Sequence, residues 1–354
     1  DGTSFALNLD TDIKQERLSL KSVDIESGKA IAEHYLKKKI SKELLKSIWT
    51  KSEGNPFFIE QISLYLLESN LLTEKKGFLR LNRDDFEIPS QINSIVIARI
   101  DRLRDDLKNL IKKAAVLGRE FSILVLSQML RGENITGKLH ELEKESIWEP
   151  LSKVLYIFKH ILIRDSIYGI QLKKTLKTLH LLAGESIEEV MKNNPEPYYG
   201  NLAYHFENAG NINKTREYLK KAADYSKDKF KNEDAITYCQ RLLFYSNNPG
   251  EKDRIRIDLI DLFDTTGQWK EAVDIYKQRL RDRKIMHDSI LKTEVKMGIA
   301  EFYIKMGKVK DAKIILDKAL ILFEKTEEKK QLFKVLSLFA LYHSALGEFK
   351  KAIE

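Results

Sequence analysis

Three short stretches of this chain carry residue types that could meet a ligand. In "SEGNPFFIEQISLYLLE" (Ser52–Glu68), Gly54, Asn55 and Pro56 stand directly before an apolar helical run. Asn55 can cap the orphan amides of a helix start, and Pro56 suits the first helical position, where its missing N–H costs nothing. The same turn could also touch a ligand, and the residue types leave both readings open. In "YIFKHILIRDSIY" (Tyr156–Tyr168), His160 closes an apolar β-like run. On spacing alone it is a strand-end histidine held by the core, with Arg164 and Asp165 on the surface of the next helix. The third stretch, "GENITGKL" (Gly132–Leu139), approaches the phosphate loop G-x-x-x-x-G-K-[ST]. Leu139 stands where Ser or Thr must hold Mg²⁺, and the preceding apolar run continues a helical period, so the stretch reads as a loop between helices.

No complete active site is expected. The seven histidines show no H-E-x-x-H or paired spacing, and no Ser-His-Asp or Cys-His signature occurs in a local context that would identify it. The single cysteine, Cys239, excludes a disulfide framework and a cysteine metal site, and points to a reducing cytoplasm. No apolar run reaches the roughly 18 residues of a membrane span, and no signal peptide is visible. Net charge is +8, with Lys and Arg interleaved with Asp and Glu along the helices, which is the pattern of a solvated surface rather than a nucleic-acid footprint.

These stretches must be positioned by helices. A length of 354 residues allows two or three domains, and 6 Pro with 16 Gly leave little room for extended linkers. Residues 1–23, with the alternating "RLSLKSVD", are expected to be the tail of a preceding fold. Over 24–88, three helices are legible in "ESGKAIAEHYL", "SKELLKSIWTKSEG" and "PFFIEQISLYLLESN", and "GFLRL" reads as a strand. Pro89 opens a unit over 89–190. Ser90 is expected to cap its first helix, in which Ile92, Ile95, Val96, Arg99 and Leu103 keep helical spacing. Gly118 is expected to end the second helix and Phe121 to begin the packing of the third. The helix "ITGKLHELEKES" then precedes two β-like pieces, "IWEP" and "LYIFKH". Helices followed by a two-stranded hairpin is the order of a winged helix.

From 195 to 354 the chain repeats. Gly267, Gly307 and Gly347 lie 40 residues apart, each followed five residues later by Ala272, Ala312 or Ala352. Gly210 opens the same pattern with Thr215 at the Ala position. Glycine permits a tight turn between two helices, and alanine lets them approach. Phe206, Trp269, Tyr303 and Phe349 are expected to fill the seam. The pattern resembles the tetratricopeptide repeat, whose period is about 34 residues. The expected fold is mainly α: a helical lid, a winged helix with a small β-hairpin, then an α-α superhelix.

Taken in order, "EGNPFFIEQI", "IPSQINSIVIARIDRL", "KKAAVLGREF" and "YIFKHILIRDSIY" resemble the STAND class of signalling ATPases, relatives of AAA+ proteins. The resemblance is to the bacterial branch fused to tetratricopeptide repeats, which is found attached to class III adenylyl or guanylyl cyclases, Ser/Thr kinases or LuxR-type regulators. It implies that Gly54-Asn55-Pro56 is the G-x-P element of the lid, with Pro56 on an adenine ring and Gly54 permitting close approach. It implies that His160 reaches the β-phosphate of bound ADP; where that pattern often has Asp next, this chain has Ile161. Residues 1–23 would be the remnant of the nucleotide-binding core, with the Walker loops upstream. The expected cofactor is then ATP or ADP with Mg²⁺ in a longer parent, with neither bound tightly nor hydrolysed by this chain alone. The resemblance implies that the repeats bind a protein partner or an effector domain of the same chain, and it allows a nucleotide-driven oligomer. Two other readings remain at this level. One is a nucleotide-independent repeat scaffold. The other is a DNA-binding regulator, which the balanced charge of "ITGKLHELEKES" disfavours.

Overall fold

The structure, a computed structural model, describes residues 21–82, 88–89 and 91–353. Most of the segment read as a remnant of a preceding core, and Ser90, lie outside these residues. The described chain is mainly α-helical and divides into two compact units. Of the described residues, the first holds those up to Ile123 together with Asn134–Gln171; the second holds Leu124–Glu133 and those from Leu172 on. Among the described residues, no helix is long and apolar enough to cross a membrane.

In the first unit the order is α1 (Ile25–Leu36), α2 (Lys42–Ser52), α3 (Pro56–Glu68), β1 (Leu72–Lys75), β2 (Phe78–Leu81), α4 (Ile92–Asp101), α5 (Asp105–Leu117) and β3 (Glu120–Ser122). After α6 (Ile123–Gln128), most of which belongs to the second unit, come α7 (Thr136–Lys144), β4 (Trp148–Pro150), β5 (Leu155–Phe158) and α8 (Ile161–Gly169). The first three helices have side-chain caps that the sequence announces: Asp24, Ser41 and Asn55 accept from Ser27, Leu44 and Phe58 N–H groups. β1 and β2 form an antiparallel hairpin turned by Lys76 and Gly77, both with positive φ, which is the two-residue turn that matches strand twist. A bridge between Ile40 and Leu79 ties the hairpin to the α1–α2 loop. The core here is aliphatic, with Leu44, Ile48, Ile59, Ile62, Leu66 and Ile95 all but fully buried.

The expected two-stranded hairpin is in fact a three-stranded antiparallel sheet, ordered β3-β5-β4. Phe121 lies in β3, not at the start of a helix. It is held there by the rings of Trp148 and Phe158, at centroid distances of 5.1 and 5.5 Å. Alternation over three residues is too short to outweigh the helical run that follows it. Trp148 satisfies its buried indole N–H on the Leu139 carbonyl at 3.1 Å. Helix α4 begins after Gln91, which makes no side-chain cap bond.

The second unit is built from α6 and a run of helices: α9 (Lys173–Val190), α10 (Tyr199–Ala209), α11 (Ile212–Asp228), α12 (Asn232–Tyr245), α13 (Pro249–Thr265), α14 (Trp269–Arg279), α15 (Arg283–Met286), α16 (Ser289–Lys305), α17 (Val309–Lys325), α18 (Lys329–Ala345) and α19 (Phe349–Ile353); from α9 on each packs on the next, except that α14 packs on α16 past the short α15. The units divide after residue 171, and in the second α9 packs on α10. A Cβ on Gly184 would come within 2.9 Å of the Phe206 ring, and the buried His180 and His205 meet Nδ1 to Nδ1 at 3.0 Å.

Gly210, Gly267, Gly307 and Gly347 all have φ between 70° and 79°, as tight helix-to-helix turns require. Ala272 and Ala312 are fully buried and Thr215 nearly so. The structure also supplies a turn that a search for glycine misses. Phe230 has φ 56°, and the fully buried Ala235 follows it by five residues. With Phe230 in place, successive turns fall 37, 40 and 40 residues apart, and the Gly210 turn precedes this register by one helix. Phe349 is 65% exposed and does not fill a seam, contrary to expectation.

Candidate functional site

A cleft of about 640 Å³ lies in the first unit. It is reached by α1 through His34 and Tyr35, by α3 through Pro56, Phe57 and Glu60, and by the β4 and β5 region through Glu149, Lys159 and His160. Pro56 and His160, a hundred residues apart in sequence, are therefore brought to one cavity. The residue after Pro56 makes the contact between the two segments: the Phe57 and His160 rings stack with centroids 3.8 Å apart and planes 11° from parallel.

The cleft gathers two helix starts. Pro56 is the first residue of α3, and its Asn55 cap accepts from Phe58 N–H at 3.1 Å. His160 is the N-cap of α8, its Nδ1 accepting from Leu162 N–H at 3.2 Å. Helix starts present the positive end of the backbone dipole, so two of them on one cavity favour an anion or a polarised group. Lys159 adds a cation, while Glu149 and Glu60 oppose it. Glu60 is partly engaged by the Tyr35 hydroxyl. That pairing, after burial itself, pushes the Tyr35 pKa up to about 12.

His160 is electrostatically defined. Nδ1 can accept from Leu162 only when it carries no proton, so the neutral ring holds its hydrogen on Nε2. Burial, and then the nearby Arg119 charge, hold its pKa below the ordinary histidine value. The cleft thus offers one neutral N–H donor at the end of a stacked aromatic pair.

Gly54 and Asn55 are placed differently from Pro56 and do not line the cleft. Gly54 has φ 73°, and a Cβ there would meet the Val23 carbonyl oxygen at 2.8 Å and the Trp49 ring at 2.9 Å. Its own carbonyl accepts from Val23 N–H at 3.0 Å. The close approach this glycine permits is to its own chain. Asn55 is occupied as a cap. The near phosphate loop is not one: Gly137 and Lys138 sit inside helix α7, and Lys138 lies 3.6 Å from Asp106. Arg164, read as a surface residue, instead donates from Nε to the Ala115 carbonyl at 2.8 Å and lies over the Tyr168 ring.

Sequence reasoning missed Tyr35, Glu60, Phe57 and Lys159 as cleft residues, since no motif marks them. The available signal was helical spacing that puts Ile31 with Tyr35 on one face of α1. It also passed over the role of Arg99. This buried guanidinium holds Glu68 from Nε at 2.9 and 3.1 Å, Gln61 from Nη1 at 2.6 Å and the Glu145 carbonyl from Nη2 at 2.8 Å. It pins α3, α4 and the end of α7 together behind the cleft. Among the described residues, no group of three or more His, Cys, Asp or Glu side chains is placed to hold a metal ion.

No family model matches the chain, and no curated protein matches it. Among solved structures it is similar to the crystal structure of a Signal Transduction ATPase with Numerous Domains (STAND) protein with a tetratricopeptide repeat sensor, from Pyrococcus horikoshii. Identity is 14%, 94% of this chain and 65% of that one are covered, and the TM-score is 0.30. The chain thus spans about 65% of the length of the structure it matches.

Proposed function

We propose that the chain is a regulatory and partner-binding module of a signal-transduction ATPase. Residues 24–88 act as the lid, 89–190 as a winged helix and 195–354 as partner-binding repeats. ATP or ADP, with Mg²⁺, is held by a P-loop core outside this chain. The observation that carries the reading is the stacked pair Phe57–His160, which sets the two residues singled out by motif resemblance, Pro56 and His160, on one cleft. In that reading Pro56 and the Tyr35 face meet the base, and the Nε2–H of neutral His160 donates to a phosphate oxygen. The order α5, β3, α6, α7, β4, β5 is that of a winged helix, which supports the assignment of that segment. Helix α7 is a poor DNA reader: Lys138 lies beside Asp106, and Glu141 is paired with Arg104.

A nucleotide that contacts Pro56 and His160 in one conformation and not in another biases a two-state switch by that difference alone. The test is calorimetric titration of ADP into this chain and into a longer chain carrying an upstream P-loop core. The reading expects binding by the longer chain only, weakened about tenfold or more by His160→Ala, the worth of one charge-assisted hydrogen bond. Equal ADP affinity with and without His160, or no binding by either chain, would leave a nucleotide-independent scaffold.

A further inference from the structure

The second unit carries a cleft of about 690 Å³ walled by α11, α12 and α13, separate from the residues discussed so far. Its charges are ordered. On α11, Arg216 and Lys220 are one turn apart and Asp224 follows one turn later. On α13, Glu251 and Arg254 are followed by Asp258. Arg216 donates from Nη2 to Glu251 at 2.6 Å, while its Nε has no acceptor. Among the described residues, the Lys220 and Arg254 side chains make no hydrogen bond and no ion pair within 4.0 Å. Glu251 is held below the ordinary carboxylate range by the Ser246 hydroxyl first, then by Arg216 and Lys220. One carboxylate therefore faces three cations at this end. One turn on, Lys227 lies 3.0 Å from Asp224 and 3.1 Å from Asp258, so two carboxylates share one cation. The floor is apolar, formed by Ala223, Leu242 and Ile255.

We infer that this cleft binds an extended acidic peptide segment of a partner protein. Its carboxylate lies against Arg216, Lys220 and Arg254. An apolar side chain meets the floor, and a backbone N–H or basic side chain reaches Asp224 and Asp258. The sign change along the cleft selects this occupant. A polyphosphate or nucleic acid would be repelled at the aspartate end, and an uncharged peptide would leave Lys220 and Arg254 without a close carboxylate. One helical turn, about 5.4 Å, is a little less than two residues of extended chain, so an acidic and a basic residue two apart fit best. The inference rests on the part of the proposed function that gives the repeats a protein partner, and is independent of nucleotide.

The experiment is fluorescence anisotropy of a dye-labelled acidic peptide of about ten residues, Asp alternating with Leu except for one Lys placed two residues after an Asp, titrated with the whole chain at low salt. A Lys–Leu peptide and inorganic tripolyphosphate serve as comparisons. The acidic probe is expected to bind, to weaken with salt, and to lose roughly tenfold in affinity with each of Lys220→Gln and Arg254→Gln. Arg254→Glu should abolish binding. Neither Lys220 nor Arg254 has a side-chain hydrogen bond to lose, and the Lys220 attraction to Glu251 acts across solvent, so circular dichroism should show unaltered folding. No binding of the acidic probe overturns the inference. Undiminished binding to the Gln variants also overturns it, and leaves peptide binding elsewhere on the repeats standing. Displacement of the probe by tripolyphosphate more effectively than by unlabelled peptide would mark a phosphate site instead.

Discussion

Replacing His160 removes two interactions that can be separated by the choice of replacement. One is the cap, Nδ1 accepting from Leu162 N–H; loss of an N-cap costs about 1 kcal/mol. The other is the ring stack on Phe57, an aromatic pair worth about 1 kcal/mol beyond its buried area. His160→Ala should therefore make local opening of α8 easier by about 2 kcal/mol, or roughly thirtyfold faster amide exchange over 162–166. His160→Asn keeps a cap and His160→Phe keeps a ring, so each should show about half the free-energy effect. The pH dependence has a defined sign. The folded-state pKa is lowered, so the unfolded chain binds a proton that the folded chain does not. The contribution of His160 is fully present above the ordinary histidine value of about 6.5 and declines as pH falls through it. Exchange mass spectrometry corrected for intrinsic rates should show α8 protection weakening below that pH in the wild type and not in His160→Asn. If all three variants exchange α8 amides within twofold of wild type, the cap and stack do not hold this element and the reasoning fails.

Other substitutions follow from single contacts. Gly54→Ala meets both an unfavourable φ and the Val23 carbonyl; thermal unfolding of the first unit should fall by several degrees, a loss of about 1–2 kcal/mol. Arg99→Met leaves Glu68 and the Glu145 carbonyl without their donor. Denaturant unfolding followed by tryptophan fluorescence should show a loss of about 3 kcal/mol, with Arg99→Lys recovering only part of it. Phe230→Gly relieves a positive φ at a side chain 87% exposed, and should stabilise the second unit by about 0.5 kcal/mol in a thermal melt. Gly298→Ala would place a Cβ 2.3 Å from the Tyr276 ring; it should lower that unit's melting temperature, and Tyr276→Ala in the same chain should restore part of the loss.

Much of the helical layout could be read from sequence because caps and breakers are local. Asp24, Ser41, Asn55 and Pro56 mark helix starts by chemistry that does not depend on the rest of the fold. Turns at Gly267, Gly307 and Gly347 were legible for the same reason. What was not legible depended on partners distant in sequence. β3 exists because Phe121 finds Trp148 and Phe158, and three residues carry too little alternation to announce a strand. Phe230 takes a glycine conformation because α11 and α12 demand a turn there, against its own preference. The same distinction applies to the cleft. Pro56 and His160 stood out by motif, whereas Tyr35, Glu60 and Lys159 were ordinary surface residues until folding brought α1, α3 and β5 to one cavity. Gly54 shows the reverse: a residue conspicuous beside a candidate ligand turn is accounted for by Val23 and Trp49.

The central claim is that Pro56 and His160 meet one nucleotide, with His160 donating from Nε2. Histidine-selective nitrogen NMR of the chain joined to a P-loop core, with and without ADP, tests it most directly. The account predicts that His160 holds its proton on Nε2 near neutral pH, and that this resonance moves on ADP binding and does so less in Pro56→Ala. ADP binding that leaves the His160 resonance where it was would contradict it.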